Sequence, residues 1–194
     1  MRCFSCRSWS LEPICRRCLE ASFAPKVMRR RVGTLDVYSL FPYEQIEPLL
    51  LTKHKPEGWR IYRFLAKRFV RPFLQTFAQG LSSDVYILGI DERPKGGYAH
   101  VAVLTRALRG VDHLKIRHGM LRATYQVSYA GKSLAYRLAH PRGFTYRGEG
   151  GIEAIIIDDI VTTGTTLQEA YTTLQTYDVD VLFALTLADA EREV

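Results

Sequence analysis

Four consecutive apolar residues, Ala154-Ile155-Ile156-Ile157, run straight into two acids, Asp158-Asp159, then Ile160-Val161 and the turn Thr162-Thr163-Gly164-Thr165-Thr166. So short and unbroken an apolar run predicts a strand buried on both faces, as in a parallel sheet. Leu167 to Thr176 continues as a helix and Val179 to Leu187 returns as another strand, so the segment reads as one strand-helix-strand unit of an α/β protein. The polar turn then leaves the carboxyl end of a central strand, where open α/β sheets bind their ligands.

The turn has a definite chemistry. Gly164 lets the backbone approach a ligand closely, the threonine hydroxyls donate hydrogen bonds, and the start of the following helix offers unsatisfied N–H groups and a positive dipole end to a phosphate. The turn itself contains no Gly-Lys-[Ser/Thr], so this cradle lacks the lysine of a Walker loop. Paired acids beside a phosphate suit sugar hydroxyls, or Mg²⁺ reached directly or through water.

An earlier half-unit precedes it. Asp84 to Ile90 predicts a buried strand, followed by a turn carrying Asp91, Glu92, Arg93, Lys95, Gly96 and Gly97 and a helix near Tyr98–Arg109. Trp59 to Phe77 has helical periodicity with a kink or end expected just before Pro72. Ile61, Leu65 and Phe69 repeat toward the core, while Arg60, Arg63, Lys67 and Arg71 form a cationic stripe on the opposite face.

Cysteine is confined to the first 18 of 194 positions, as Cys3-x-x-Cys6 and Cys15-x-x-Cys18. Two such turns supply the tetrahedral sulfur set that Zn²⁺ prefers, and four thiolates close the coordination shell, which makes the metal structural. A segment this short buries too little to fold alone, so zinc would be its core. A redox dithiol pair is the alternative. Residues 1–31 are expected to be this zinc module and a linker, with 24–33 as connecting chain and 32–194 as the main domain.

Apolar content of 47% is ample for one buried core and excludes wholesale disorder. The net charge of +7 is unevenly spread: residues 1–31 carry about +6, 32–112 about +3, 113–148 about +7 and 149–194 about −9. Between His113 and Gly148 there is no acid, with seven Lys or Arg and five Tyr or Phe. Arg122, Lys132, Arg137, Arg142 and Arg147 can neutralise phosphates while Tyr125, Tyr129, Tyr136, Phe144 and Tyr146 offer planes for unpaired bases. With Arg60, Arg63, Lys67, Arg71 and the zinc module they are expected to contribute to a polyanion-binding surface. No secretory signal and no run of about 18 apolar residues is present, so a cytoplasmic protein without membrane insertion is expected, with room for peripheral association at the inner face of the membrane.

At Asp158–Thr166 the chain resembles type I phosphoribosyltransferases. The resemblance implies a Rossmann-like α/β fold with a mostly parallel central sheet flanked by helices. It also implies that Asp158 and Asp159 engage the ribose hydroxyls as the catalytic acids, while Val161, Thr162, Thr163, Gly164, Thr165 and Thr166 wrap the 5′-phosphate of phosphoribosyl pyrophosphate. With the four-cysteine N-terminus, nearly the whole chain resembles the ComF/ComFC competence proteins. That likeness places Asp91, Arg93 and Lys95 near the diphosphate and Mg²⁺, with Asp158 and Asp159 as further Mg²⁺ ligands. Where the family usually has Arg-Gly-aromatic-Asn-Gln, this chain has Gly96-Gly97-Tyr98-Ala99-His100. Gln126 and Lys132 fall roughly where the family has Gln and Arg.

Two functions from different classes follow. One is a competence protein for natural transformation that holds incoming single-stranded DNA, binds phosphoribosyl pyrophosphate, and meets proteins such as the DNA-uptake helicase or inner-membrane channel. The other is an active phosphoribosyltransferase that transfers the phosphoribosyl group to an unidentified base or amine with release of pyrophosphate. No general base stands out; His100 and His140 read as surface or capping residues. No helix-turn-helix is visible for duplex recognition.

Overall fold

The computed structural model describes residues 1–90, 98–125 and 133–190. After a short helix α1 (Arg16–Ser22), the strands β1 (Met28–Val32) and β2 (Leu35–Pro42) form a hairpin. Then come α2 (Tyr43–Leu50), a 3₁₀ turn (Leu51–His54), and a helical run made of α3 (Gly58–Leu65), a π turn (Ala66–Val70) and α4 (Arg71–Ala78). The remainder is β3 (Val85–Gly89), α5 (His100–Arg106), β4 (Leu114–Arg117), β5 (Leu121–Ala123), α6 (Leu134–Ala139), β6 (Phe144–Tyr146), β7 (Ile152–Val161), α7 (Thr165–Thr176) and β8 (Val179–Asp189).

Six strands form one sheet in the order β1-β2-β8-β7-β3-β4, parallel throughout except for the β1–β2 hairpin at one edge. This is the expected α/β class. The chain steps outward from β3 to β4 on one side and from β7 to β8 on the other, so the strand order reverses between β3 and β7. Their carboxyl ends therefore flank a topological switch point, with Gly89 beside Ile157.

Each face of the sheet has its own core. Ile155 and Ile157 of β7 pack with Ile87, Leu185, α2, α3, α4 and α5, while Ala154 and Ile156 pack with Leu88, Ala184, Leu121, Phe144, Tyr146 and Leu167, Ala170 and Leu174 of α7. The buried cationic-stripe helix behaves as its periodicity predicts: Ile61, Leu65 and Phe69 are buried, and Arg60, Arg63 and Lys67 are exposed. Pro72 does not end it. The ladder widens into the π turn and the helix resumes at Arg71, so the proline falls in a first turn, where its missing N–H costs nothing.

Residues 28–32, expected as connecting chain, are strand β1. The run Arg29-Arg30-Arg31 hides the alternation, since Met28 and Arg30 are half-buried and Val32 is buried while Arg29 and Arg31 are exposed. Four further strands, β2, β4, β5 and β6, have no counterpart among the sequence expectations. The cysteine segment docks on the main body: Ile14, Leu19 and Phe23 belong to the same core cluster as Phe41, Ile46 and Leu49. Among the described residues no helix is long and apolar enough to cross a membrane.

Ile14 is fully buried in this shared core. Ile14→Ala is therefore expected to lower the stability of the whole protein, by about 2–5 kcal/mol in urea unfolding followed by far-UV circular dichroism. A loss confined to the first 23 residues, with the main transition unmoved, would contradict the docking.

Candidate functional site

The turn after β7 is built as its sequence predicts. Gly164 is left-handed, with φ of 78°, and ends the strand-to-helix turn; a Cβ there would meet both methyl groups of Val32 at 2.5 Å. The amide of Gln168 donates to the Gly164 carbonyl as the first helical bond of α7. No acid lies in the first turn of α7, so the positive end of its dipole is not offset there. The hydroxyls of Thr163 and Thr165 meet at 2.8 Å at the mouth of the turn.

Two braces hold this turn. On β1, the Arg30 guanidinium pairs with Asp189 at the end of β8, Nε to Oδ2 2.9 Å, and also donates to the Thr162 carbonyl. On the other flank is Asp159, only 5% exposed. Its Oδ2 accepts from Lys53 Nζ at 2.9 Å and from the Tyr62 hydroxyl at 3.1 Å, with His100 Nε2 at 3.4 Å.

Burial is the largest single influence on Asp159 and pushes its pKa up. The Lys53 and His100 charges and the hydrogen bonds from Lys53 and Tyr62 together overcome it and bring the group down to about 2. Tyr62 is moved the other way, well above its ordinary value, by its own burial and then by the Asp159 charge, so it stays protonated as a donor.

The two adjacent acids do different jobs. Side chains alternate along a strand, so Asp159 continues the series of Ile155 and Ile157 toward α3 and α5, and Asp158 continues that of Ala154 and Ile156. Asp158 is 9% exposed, and its Oδ1 accepts the amide of Asp159 at 2.8 Å.

The structure brings together Asp158, Asp159, Val161, Thr162, Thr163, Gly164, Thr165 and Thr166 as the sequence expects. Asp91, Arg93, Lys95, Gln126, Tyr129 and Lys132 lie outside the described residues, as does the side chain of Arg137. The site residues missed in the sequence are Lys53, Tyr62, His100, Arg30 and Asp189. His100 was read as a surface or capping residue; its contact with Asp159 depends on α5 packing beside α3, which no local pattern reports.

The basic residues do not converge on one face. Arg60, Arg63, Lys67 and Arg71 are carried by the helical run that packs on one core, whereas Arg122, Tyr125, Arg142 and Arg147 adjoin β5 and β6, which pack on the other. Tyr125 is 62% exposed. Glu169 of α7 accepts from the amides of Arg142 at 3.0 Å and Gly143 at 2.6 Å, tying that stretch to the helix behind the turn.

At the N-terminus, the four sulfurs of Cys3, Cys6, Cys15 and Cys18 lie within 4.8 Å of one another, close enough together to hold a zinc ion. Two sulfurs at about 2.3 Å from one tetrahedral ion stand about 3.8 Å apart, and Cys6 and Cys15 are separated by 3.7 Å. Hydrogen bonds from the Ser8 hydroxyl and then its amide favour the Cys6 thiolate and bring that thiol down to about 6. The Cys15 amide donates to Cys3 Sγ at 3.3 Å.

No family model matches the chain, and no curated protein matches it. Its structural neighbours are phosphoribosyltransferases. A hypoxanthine phosphoribosyltransferase from Staphylococcus aureus is 21% identical over 73% of this chain and 71% of its own, with a TM-score of 0.42. The adenine phosphoribosyltransferase of Saccharomyces cerevisiae is 15% identical over 89% and 86%, at 0.45. That of Leishmania tarentolae is 13% identical over 84% and 94%, at 0.43.

Because Asp159 ionises at about 2 in the fold and near 3.9 unfolded, its stabilisation is fully present above about pH 4 and is lost as pH falls through 2. Lys53→Met removes the largest of the influences that lower it. The variant is expected to lose about 1–3 kcal/mol near neutral pH and to reach its acid-unfolding midpoint at higher pH than wild type. An unmoved acid limb in circular dichroism would show that Lys53 does not hold this carboxylate.

Proposed function

We propose that the crevice at the carboxyl ends of β3 and β7 binds a diphosphorylated pentose of the phosphoribosyl pyrophosphate type. The observation that carries this reading is the turn itself: a left-handed glycine, paired threonine hydroxyls and an unopposed helix start lie directly after two acids at the switch point of the sheet. Thr162 to Thr166 would take the 5′-phosphate through backbone amides and hydroxyls. Asp158 would take the ribose hydroxyls, and Asp159, whose Oδ2 is already surrounded by donors, would act mainly by fixing the end of β7.

Magnesium suits the same place, since it binds through one or two carboxylates together with substrate phosphates. Asp158 is the better donor here, because a cation on the Asp159 Oδ2 would have to displace Lys53. When bound, the ion would neutralise the diphosphate.

Transfer of the phosphoribosyl group is the enzymatic form of this reading, and its acceptor is unassigned. The role in natural transformation, with single-stranded DNA and the uptake helicase or membrane channel as partners, rests on the competence-family resemblance. What supports DNA binding is the acid-free stretch, with exposed Arg122, Arg147 and Tyr125 on the α7 side of the sheet. Structural zinc at Cys3, Cys6, Cys15 and Cys18 completes the reading, in a module that stabilises the main core through Ile14.

Calorimetric titration of phosphoribosyl pyrophosphate with Mg²⁺ is expected to give one site, weakened at least about tenfold by Asp158→Asn and by Gly164→Val. Heat identical in wild type and both variants, or a soaked crystal with nothing bound beside residue 158, would overturn the site. Pyrophosphate released from a panel of free bases, and abolished by Asp158→Asn, would establish transfer. Single-stranded DNA affinity that survives Asp158→Asn and fades with salt and with Arg122→Gln and Arg147→Gln would establish the binding role; no salt-dependent affinity would exclude it.

Cys15→Ser is expected to reduce zinc from about one ion per chain toward zero by plasma mass spectrometry and to lower the melting temperature. Full zinc content with unchanged melting would refute the zinc site.

A further inference from the structure

A groove of about 530 Å³ lies away from the switch-point crevice, along the seam between the α3–α4 run and α5. Its walls carry five cations, Arg63, Lys67, Arg71, Arg106 and Arg109, and the indole of Trp59. Among the described residues no carboxylate lines it. Arg71 is committed to structure, since its guanidinium donates to the carbonyls of Ala107 at 2.8 Å and Arg109 at 2.9 Å and so holds the chain just after α5. Four cations remain directed at one concave space.

These four cations are exposed and, among the described residues, no acid lines the groove beside them, so an anion placed there meets potential of one sign. Trp59 is 40% exposed, unusually open for an indole, and the Arg63 guanidinium lies over its ring at 5.2 Å. Both planes present a stacking surface at the rim. Phosphate oxygens satisfy guanidinium and ammonium groups, an aromatic base satisfies the planes, and the volume falls in the range that holds one small ligand and not a strand of nucleic acid.

We propose that this groove is a second ligand site, for a nucleoside polyphosphate, with the phosphates on Lys67, Arg106 and Arg109 and the base against Trp59 and Arg63. The site does not depend on the reading of the switch-point crevice. The two sites share helices α3 and α5 but no residue: Tyr62 and His100 hold Asp159, whereas Arg63 and Val103 line the groove.

The test follows Trp59 fluorescence in a Trp9→Phe background, titrated with ATP, inorganic tripolyphosphate and a short oligothymidylate. ATP is expected to quench Trp59 saturably, with tripolyphosphate weaker. Arg63→Gln combined with Arg106→Gln, and separately Lys67→Gln, is expected to weaken ATP by at least about tenfold while the melting temperature stays near wild type. Asp158→Asn should leave ATP binding unchanged, which separates this groove from the crevice. The proposal is overturned if ATP leaves Trp59 unperturbed, if the charge variants bind as wild type, if Asp158→Asn abolishes the response, if tripolyphosphate binds as tightly as ATP, or if only the oligonucleotide binds.

Discussion

One buried carboxylate, Asp159, holds the carboxyl end of β7 and the turn that follows it in place. Burying it alone would be prohibitive, so the fold surrounds one of its oxygens with Lys53 from the turn after α2, Tyr62 from α3 and His100 from α5. The turn and α3 are neighbours in sequence but α5 and β7 are distant from them, and the groups meet because α3 and α5 pack on the same face of the sheet. Ion pair and packing therefore depend on each other. The end of β7 is fixed laterally, two residues before the chain must turn.

The opposite flank is held by different means. β1 lies at the edge of the sheet, separated from β7 by two strands, yet its Arg30 reaches Asp189 on β8 and the carbonyl of Thr162 in the turn. The antiparallel hairpin thus places Val32 under Gly164 and Arg30 beside Thr162, so the edge strand shapes the turn through both a methyl contact and a cation. A glycine pressed against a valine and a carbonyl held by an arginine leave the loop backbone little freedom. Such preorganisation suits a site that recognises phosphate mainly through backbone groups.

The parts of this architecture legible in the sequence are those whose signal is local. The strand at Ala154–Ile157, the threonine-glycine turn, the helix behind it and the face of Ile61, Leu65 and Phe69 follow from period and turn chemistry within a few residues. The cysteine pairs are legible for the same reason, because ligand spacing is itself local. Lys53, Tyr62 and His100 escaped because each sits in an ordinary setting on its own element and acquires a partner only through tertiary packing. Arg30 escaped because a run of three arginines masks the alternation of β1. The hairpin partner β2 carries a short local signal, since Leu35 and Val37 alternate inward.

The uneven charge of the chain also acquires an internal explanation. Part of the acidity of residues 149–194 is turned inward against the earlier, basic part: Asp159 on Lys53 and His100, Asp189 on Arg30, and Glu169 on the amides of Arg142 and Gly143. Outside, exposed cations stand in the α3–α5 groove, on the β5–β6 side and along the N-terminal segment. Salt acts differently on these two sets. Exposed arginines are screened over about 8–10 Å at ordinary ionic strength, whereas the buried pair at Asp159 is screened much less. The outward charge can therefore govern binding of anions without disturbing the inward charge that positions the turn.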